Sequence, residues 1–546
     1  MKKTLLLLGT CLALVSLGGC KKEDPRKSRS KQFSFSYFRS GYGTEWVKQV
    51  ADYYMDNVDT DVFIDLKQSV SSISARTEIE AGASGMKDLY QLEVDMSNHQ
   101  QYLKDLTEDI YNFDLSVYGE TGLVKDKIEQ RWIDFYNEDN HWYRLPQTVT
   151  NGWNWCYNKT TLDTKLGKGN WRLPNTTDQF IKLGDDLYNA GAYLFAYAGG
   201  GDISGEYTRY ANDVWFAQMT GLQGYEDYYG GFTRDTSNKR VFCQDEPTQI
   251  LDNANNIYAT YDIVRKLFTK ANGYVHPNSD MYSFTNINQV LYNGKVNGSS
   301  LKAPAAFAYV GSWLETEIQE SVEYGFINPD SQVVLAMKMP VNSAIINRTP
   351  TINDDDTLSE VITYVDGVPG AEKPTSVSDE DVEVIREARS FVAELICREF
   401  VVPKNGKNSE EVLKFLAWLT TDVAQKIASK ATKGVNVLPY GYVPTDEDMG
   451  FEISPFLKSV ASIKSSSYVL DESGLTMPYK NWFGVTWCRN ANTISNIAFG
   501  GKMKDRSELD PVTNGEGSGI YDFISSKYQS SDGMSAFLLK YPNYGK

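Results

Sequence analysis

Hydrophobic positions along the chain change their period from segment to segment. After Met1-Lys2-Lys3, Leu5–Leu8 and Leu12–Leu17 form a short apolar block that closes on Leu17-Gly18-Gly19-Cys20. From Phe33 to Phe38 aromatic residues alternate with serines at period two, which predicts a first strand. Trp46, Val47, Val50, Ala51 and Tyr54 fall at helical spacing and predict a helix over about 43–56. Val62–Leu66 predicts a second strand, Ile73–Ala81 a helix stopped by Gly82, and Asp88–Leu92 a third strand. Strand, helix, strand, helix, strand builds a parallel sheet of βαβ units. Ligands of such sheets bind off the carboxyl ends of the strands, here near Phe38-Arg39 and near Glu93–Asp95.

A second α/β region follows. Trp153–Tyr157 reads as a strand, and Thr177–Ala190 as a helix with Thr176 or Thr177 as cap and Gly191 as stop. Tyr193–Tyr197 is strand-like, and a Gly/Tyr-rich stretch from Gly199 to about Phe232 carries no assignable period. Ile250–Ala271 predicts a long amphipathic helix, Ala305–Tyr309 a buried strand ending at Gly311, and Val333–Met339 a strand closed by Pro340. From Asn347 to about Asp379 the chain is polar, with Asp354-Asp355-Asp356, and is expected to be an insertion loop. Ser409 can cap a helix whose Val412, Phe415, Leu416 and Leu419 share one face. Beyond 446 helical patterns mix with polar loops, and no internal repeat is visible.

The N-terminal block has a basic start, an apolar centre and a small-residue end, the build of a secretory signal. Its last four residues resemble the lipobox of bacterial lipoproteins. That resemblance implies removal of residues 1–19, lipidation of Cys20 and a location at the outer face of the cytoplasmic membrane. Residues 20–31 then form the lipidated Cys and a basic, flexible tether without apolar residues. Cleavage removes Lys2 and Lys3 and no acid, so the formal charge moves from −17 to −19. Such acidity disfavours nucleic acid as a partner and disfavours a body lying flat on anionic lipid. No later apolar run reaches the ~18–20 residues of a membrane span, so contact with the membrane is expected through the lipid alone. Of six cysteines, Cys156, Cys243, Cys397 and Cys488 remain after the signal and the lipid site. They show no CxxC and no disulfide-framework spacing, so buried free thiols are expected, with one or two bridges left open.

The residues for common catalytic machinery are sparse. His99, His141 and His276 are far apart, and HExxH, GxSxG and GxxxxGK[ST] are all missing from the sequence. A non-enzyme without cofactor or metal is expected, although no pair among 71 acids can be singled out to decide against a two-carboxylate glycosidase. Asp56, Asp59 and Asp61, or Asp354–Asp356, lack the Gly and later Glu of a calcium loop and read as solvated charge. Aromatic residues make up 13% of the chain, a content suited to ligands with apolar faces and hydroxyl rims, sugars above all.

Five stretches, in order, resemble the carbohydrate-type (family 1) extracellular solute-binding proteins of ABC importers. They are Gly82–Leu89, then Asn140–Pro146 leading into Cys156-Tyr157-Asn158-Lys159, then Leu173–Phe180, then Ala306–Trp313, and finally Leu413–Leu419 with Gln425-Lys426, Gly434 and Pro439. The resemblance spans about 33–445 and departs at about 107–132, 199–245, 345–385 and after 446. It implies an α/β, two-lobe, periplasmic-binding-protein-like (type II) fold with a ligand cleft between lobes joined by crossing strands. Lobe 1 would hold residues 32–144 and 340–436, and lobe 2 residues 147–337 and 438–546. It further implies a monomer that captures a sugar or oligosaccharide by closing, for a membrane permease to read. Trp313, after Gly311, is the foremost ligand-stacking candidate. Trp153 and Trp155 on one strand, Tyr37, Phe38 and Arg39 at the first strand's end, Glu93 and Asp95, Tyr440 with Tyr442, and Trp482 with Phe483 complete the candidates. Competing readings are the same fold holding a non-sugar solute, a helical-repeat glycan-capture lipoprotein, and an exported glycan-cleaving enzyme.

Overall fold

A computed structural model describes residues 24–38, 41–69, 72–82, 84–92, 99–200, 206–244, 254–407, 409–464, 468–471, 478–483, 528–531, 533–540 and 544–545. Nine of the described strands share one mixed sheet. They are β1 (Lys31–Tyr37), β2 (Val62–Gln68), β3 (Leu89–Leu92), β4 (Leu145–Asn158), β5 (Tyr193–Ala196), β6 (Ala305–Val310), β7 (Val334–Met337), β8 (Phe391–Val401) and β9 (Tyr468–Asp471). The order across the sheet is β2-β1-β3-β8-β4-β6-β5, with β7 also on β4 and β9 also on β8.

The expected βαβ start is present. β1 runs parallel to both β2 and β3, connected by α1 (Glu45–Asn57) and α2 (Ser72–Glu80). Asp88 ties β1 to the head of β3, accepting from the Ser34 backbone N–H and hydroxyl at 2.8 Å each. The alternation read in β1 buries Phe33 and Phe35, while α1 buries Trp46, Val47, Val50, Ala51, Tyr54 and Met55.

β4 and β8 are the long strands, and they run antiparallel. Leu145–Trp153 of β4 faces β8, whereas Asn154–Asn158 faces β6 and β7. At its other end β8 joins β3 through Glu399–Val401. Two strands therefore cross between the half-sheet of β1–β3 and that of β5–β7. This is the α/β architecture of a two-lobe, periplasmic-binding-protein-like fold.

The helices follow from local chemistry where caps are local. α3 (Thr177–Asn189) begins at Thr176, whose hydroxyl accepts from the Gln179 N–H at 3.2 Å. The unassigned Gly/Tyr-rich stretch is largely α4 (Glu206–Gly230), broken at Gly221, where φ is +70°. Only a residue without Cβ takes that backbone readily. Distant side chains cap both sides of the break. Arg348 donates to the carbonyls of Gln218 and Met219 at 3.0 and 2.5 Å, and Glu387 accepts from the Leu222 N–H at 3.2 Å. α5 (Ala254–Phe268) packs along α4.

Residues 347–379 are not a loop. They contain α6 (Asp355–Val365), and Asp354 is its N-cap, accepting from Thr357 N–H at 2.7 Å. The acidic run lies at a helix start, where the macrodipole favours it. α7 (Asp379–Ser390) follows, capped by Ser378. The resemblance places residues 341–390 with residues 32–144. Val341, Ile345, Leu358, Val361, Ile362, Val382 and Ile385 close instead on Met219 of α4. Asn342 N–H donates to Gln218 Oε1 at 2.9 Å, and the Thr176 hydroxyl to Asp355 Oδ2 at 2.7 Å. The stripe on α6 and α7 needs an apolar partner, and α4 supplies it.

α8 (Ser409–Leu419) has the predicted face, with Val412, Phe415, Leu416 and Leu419 all buried. Phe415 meets Tyr54 at 5.1 Å and Phe33 at 5.6 Å between ring centroids. α9 (Asp422–Ala431) packs on α1, and α10 (Pro455–Lys464) packs on β7. Cys156 and Cys243 are buried free thiols, in line with expectation. Cys397 and Cys488 fall outside what is described at side-chain level. No described helix is long and apolar enough to cross a membrane.

Candidate functional site

The strand β6 is buried along its whole length and ends in Gly311-Ser312-Trp313. A Cβ on Gly311 would fall 2.2 Å from the Trp313 ring, so glycine lets the indole fold back against its own turn. The loop after β1 approaches from the other half of the sheet. A Cβ on Gly41 would lie 2.6 Å from Trp313 Cδ1. Tyr42 sets its ring edge against Trp313 at 5.8 Å, and its hydroxyl is 3.3 Å from Ser312 Oγ. The two halves of the molecule thus meet at an aromatic seam centred on Trp313.

Trp153 completes the seam from the middle of β4. It stands edge-on to Trp313 at 4.6 Å and stacks on Tyr210 of α4 at 4.5 Å. Trp153 and Trp313 are each 5% exposed, so in this structure their faces are covered by one another and by Tyr42 and Tyr210. Trp155, two residues further into the second half-sheet, is a core residue. It packs against Phe180, Phe195, Tyr309 and Trp215.

At the carboxyl end of β1, Phe38 lies under the Arg398 guanidinium at 4.3 Å. Its N–H donates to Gln91 Oε1 at 3.3 Å, and the Gln91 amide bonds to Gln147. Tyr37 is half-buried beside Phe35. Tyr440 is fully buried and donates its hydroxyl to the Pro146 carbonyl at the start of β4, while its backbone is gripped by Gln425. It braces the crossing strand and does not meet Trp313. Trp482 and Phe483 sit in a separate aromatic cluster with Tyr479, Tyr528 and Phe537. Cys20, Arg39, Glu93 and Asp95 lie outside the described residues.

Sequence reasoning missed Tyr42, Tyr210, Glu317 and Arg398. Tyr210 sits in the stretch without a readable period, and nothing local marks Tyr42 and Glu317 as neighbours of the seam or Arg398 as the cover of Phe38. Glu317 is the most perturbed acid there. Burial pushes its carboxyl up to about 7, against hydrogen bonds from Asn288 and from the Trp313 side chain that favour the ionised form. Beside Ser312 a cavity of about 640 Å³ opens between the 434–446 loop and α10. A second, of about 940 Å³, lies between α3, α5 and residues 342–348.

The described residues hold no cluster of three or more His, Cys, Asp or Glu able to bind a metal ion. His99 and His141 are each paired to a carboxylate, of Glu138 and Asp105. His276 lies between Tyr193 and Tyr282.

The sequence matches no family model and no curated protein. Solved structures do match. A chitin oligosaccharide binding protein aligns over 91% of this chain and 97% of its own, at 14% identity and TM-score 0.55. SBP RafE in complex with raffinose aligns over 91% and 98%, at 13% identity and TM-score 0.53. Maltose-bound MalE3 of T. maritima aligns over 94% and 100%, at 13% identity and TM-score 0.51. At such identities the likeness establishes the fold, that of the carbohydrate-type solute-binding proteins.

Proposed function

We propose that this chain is the substrate-capturing receptor of an ABC importer, binding a sugar or oligosaccharide between its lobes and doing no chemistry on it. The observation that carries this reading is the seam itself. Trp313 and Trp153 on one side meet Tyr42 on the other, at the junction of two half-sheets linked by crossing strands. With the lobes apart, rings at such a junction can stack on a pyranose face, and Gln91, Gln147 and Arg398 near Phe38 are of the kind that bond its hydroxyls.

A ligand that touches both lobes only when they are shut shifts the population to the closed state, which a permease can recognise. The solved neighbours named for a chitin oligosaccharide, raffinose and maltose support a saccharide as ligand. Lobe 1 would comprise residues 32–144 with the stretch from Glu399 to 436. Lobe 2 would comprise residues from Asn154 to Ser390 with the tail after 438. Lipid on Cys20 would hold a monomer near its permease, outside the membrane.

Titration calorimetry with maltose, raffinose and chitooligosaccharides tests this on the wild type and on Trp313→Ala. Loss of a buried aromatic anchor is expected to weaken binding by about 1–3 kcal/mol with the fold retained. Unchanged affinity in Trp313→Ala would remove the seam as the binding site.

A further inference from the structure

Residues 24–31, which the sequence reads as part of a tether, lie against the first half of the sheet. Asp24 caps a short helical turn, Pro25–Ser28, accepting from the Arg26 N–H at 3.0 Å. The Arg26 guanidinium donates to Asp24 at 2.8 Å and holds that carboxyl down to about 2. It also reaches α1, donating to Asp52 at 2.7 Å and standing 3.3 Å from Asp56. Arg29 donates to the Met55 carbonyl at 2.7 Å and to the Val62 carbonyl at 2.8 Å, bridging the last turn of α1 and the first residue of β2. Gln32 fastens the turn from behind, donating to the carbonyls of Lys27 and Arg29 at 2.8 and 3.1 Å.

Exposed ion pairs alone would hold such an arm weakly. The Arg29 bonds are of another kind. A charged donor there meets two backbone carbonyls, one of them at a helix C-terminus, where the macrodipole adds to the attraction. The side chains of Arg26 and Arg29 are each only 20% exposed. The arm also changes the charge of the edge it covers. Without it, Asp52, Asp56, Asp59 and Asp61 would face Lys48 alone. With it, Arg26, Lys27, Arg29 and Lys31 join them, Lys31 lying 3.4 Å from Asp59 and Lys48 3.9 Å from Asp52. A chain of formal charge −17 thus carries one balanced edge, which anionic lipid does not repel.

We infer that residues 24–31 are a clasp that sets this edge of lobe 1 against the lipid surface, leaving Lys21, Lys22 and Glu23 as the whole tether. The inference rests on the reading of Cys20 as lipidated. Four residue steps, from Cys20 to Asp24, span at most about 14 Å, whereas a tether running on to Lys31 would reach about 40 Å. From the clasp, β1 carries the chain about 20 Å to Tyr37, and beyond it Tyr42 meets Trp313. The lipid-facing edge and the seam therefore lie at opposite ends of one strand. Lobe 1 is pinned, the seam stands clear of the bilayer, and closure is a movement of lobe 2.

The test uses the lipidated full chain in vesicles of phosphatidylethanolamine and phosphatidylglycerol. Trypsin should release a body whose mass begins at Lys22 or Glu23, with cleavage after Arg26, Lys27 and Arg29 slower by tenfold or more. Arg29→Ala should speed cleavage after Lys27 at least tenfold, with its circular dichroism unchanged. Energy transfer to a headgroup-labelled lipid gives the orientation, in chains whose Cys397 and Cys488 are replaced by serine. A dye on Asp61→Cys, beside the clasp, should transfer almost completely. One on Tyr188→Cys, an exposed position at the amino end of β5 and beyond the seam, should transfer weakly.

A wild type trimmed after Arg29 as fast as after Lys22 overturns the clasp. Equal transfer from the two dyes on a chain that carries lipid overturns the lipid-facing edge and leaves the anchoring reading intact. A chain whose mass shows no acyl groups overturns both together. Should Arg29→Ala fail to fold, the wild-type digest and the two dyes decide alone.

Discussion

Gly41→Ala separates closure from folding, because the nearest atoms its new methyl would meet belong to Trp313 and Glu317 across the seam. The Cβ would sit 2.6 Å from Trp313 Cδ1, 2.8 Å from Cγ and 3.1 Å from Glu317 Oε1. Ordinary contact begins near 3.4 Å, so the seam must give by about 0.8 Å at its tightest point. Overpacking of this kind costs roughly 1–3 kcal/mol, and at about 1.4 kcal/mol per decade that weakens ligand binding about 5- to 150-fold. The open state bears none of this cost. Gly41 is not in the left-handed region, unlike Gly43 at φ +71°, so alanine fits its backbone. Thermal stability of the ligand-free chain should therefore move by no more than about 0.5 kcal/mol. Gly311→Ala is the contrast, since its Cβ lands 2.2 Å from the Trp313 ring within one lobe and strains both states. Calorimetry and thermal unfolding on the two variants give the answer. Wild-type affinity in Gly41→Ala would refute the claim that the lobes must close on Trp313 to bind.

Two further outcomes follow from the packing of residues 341–390. Arg348→Ala should cost about 2–3 kcal/mol in urea unfolding, since the Gln218 and Met219 carbonyls lose a charged donor at the break in α4. It should also weaken binding by loosening the helix that stacks Tyr210 on Trp153. Asp366→Asn should cost about 3 kcal/mol, because it strands the buried Arg389, paired to Asp366 at 2.8 Å. Burial alone would raise the Asp366 carboxyl, but Arg389 and Lys338 outweigh it and hold the group below its ordinary value. Its contribution is therefore full at neutral pH and is lost as pH falls through that depressed value, so Asp366→Asn should flatten the acid limb of the stability profile, read by unfolding from pH 3 to 7.

What was legible in the chain was what its own neighbours determine. The face of α8 and the Thr176 cap of α3 are written within four residues of the positions they govern. The βαβ start was readable because alternation in β1 and helical spacing in α1 each report one buried face. α4 was not readable, because its two halves are held by Arg348 and Glu387, more than a hundred residues away. α6 was overlooked for a different reason. Three acids masked a start signal, although Leu358, Val361, Ile362 and Val365 keep helical spacing behind them. Among the aromatics, Trp153 and Trp155 differ by one strand repeat. Yet one lies on the seam and the other in the core, a difference set by where β4 changes partners and not by residue type.

A sugar receptor is tested most directly by a thermal-shift screen of the full chain against mono-, di- and oligosaccharides, amino acids and polyols. A ligand at ~100 times its dissociation constant adds about 2.7 kcal/mol to the state that binds it. A raised melting temperature with one saccharide class, absent in Trp313→Ala, is the predicted result. A shift produced only by amino acids or polyols, or by nothing in the panel, would contradict the assignment.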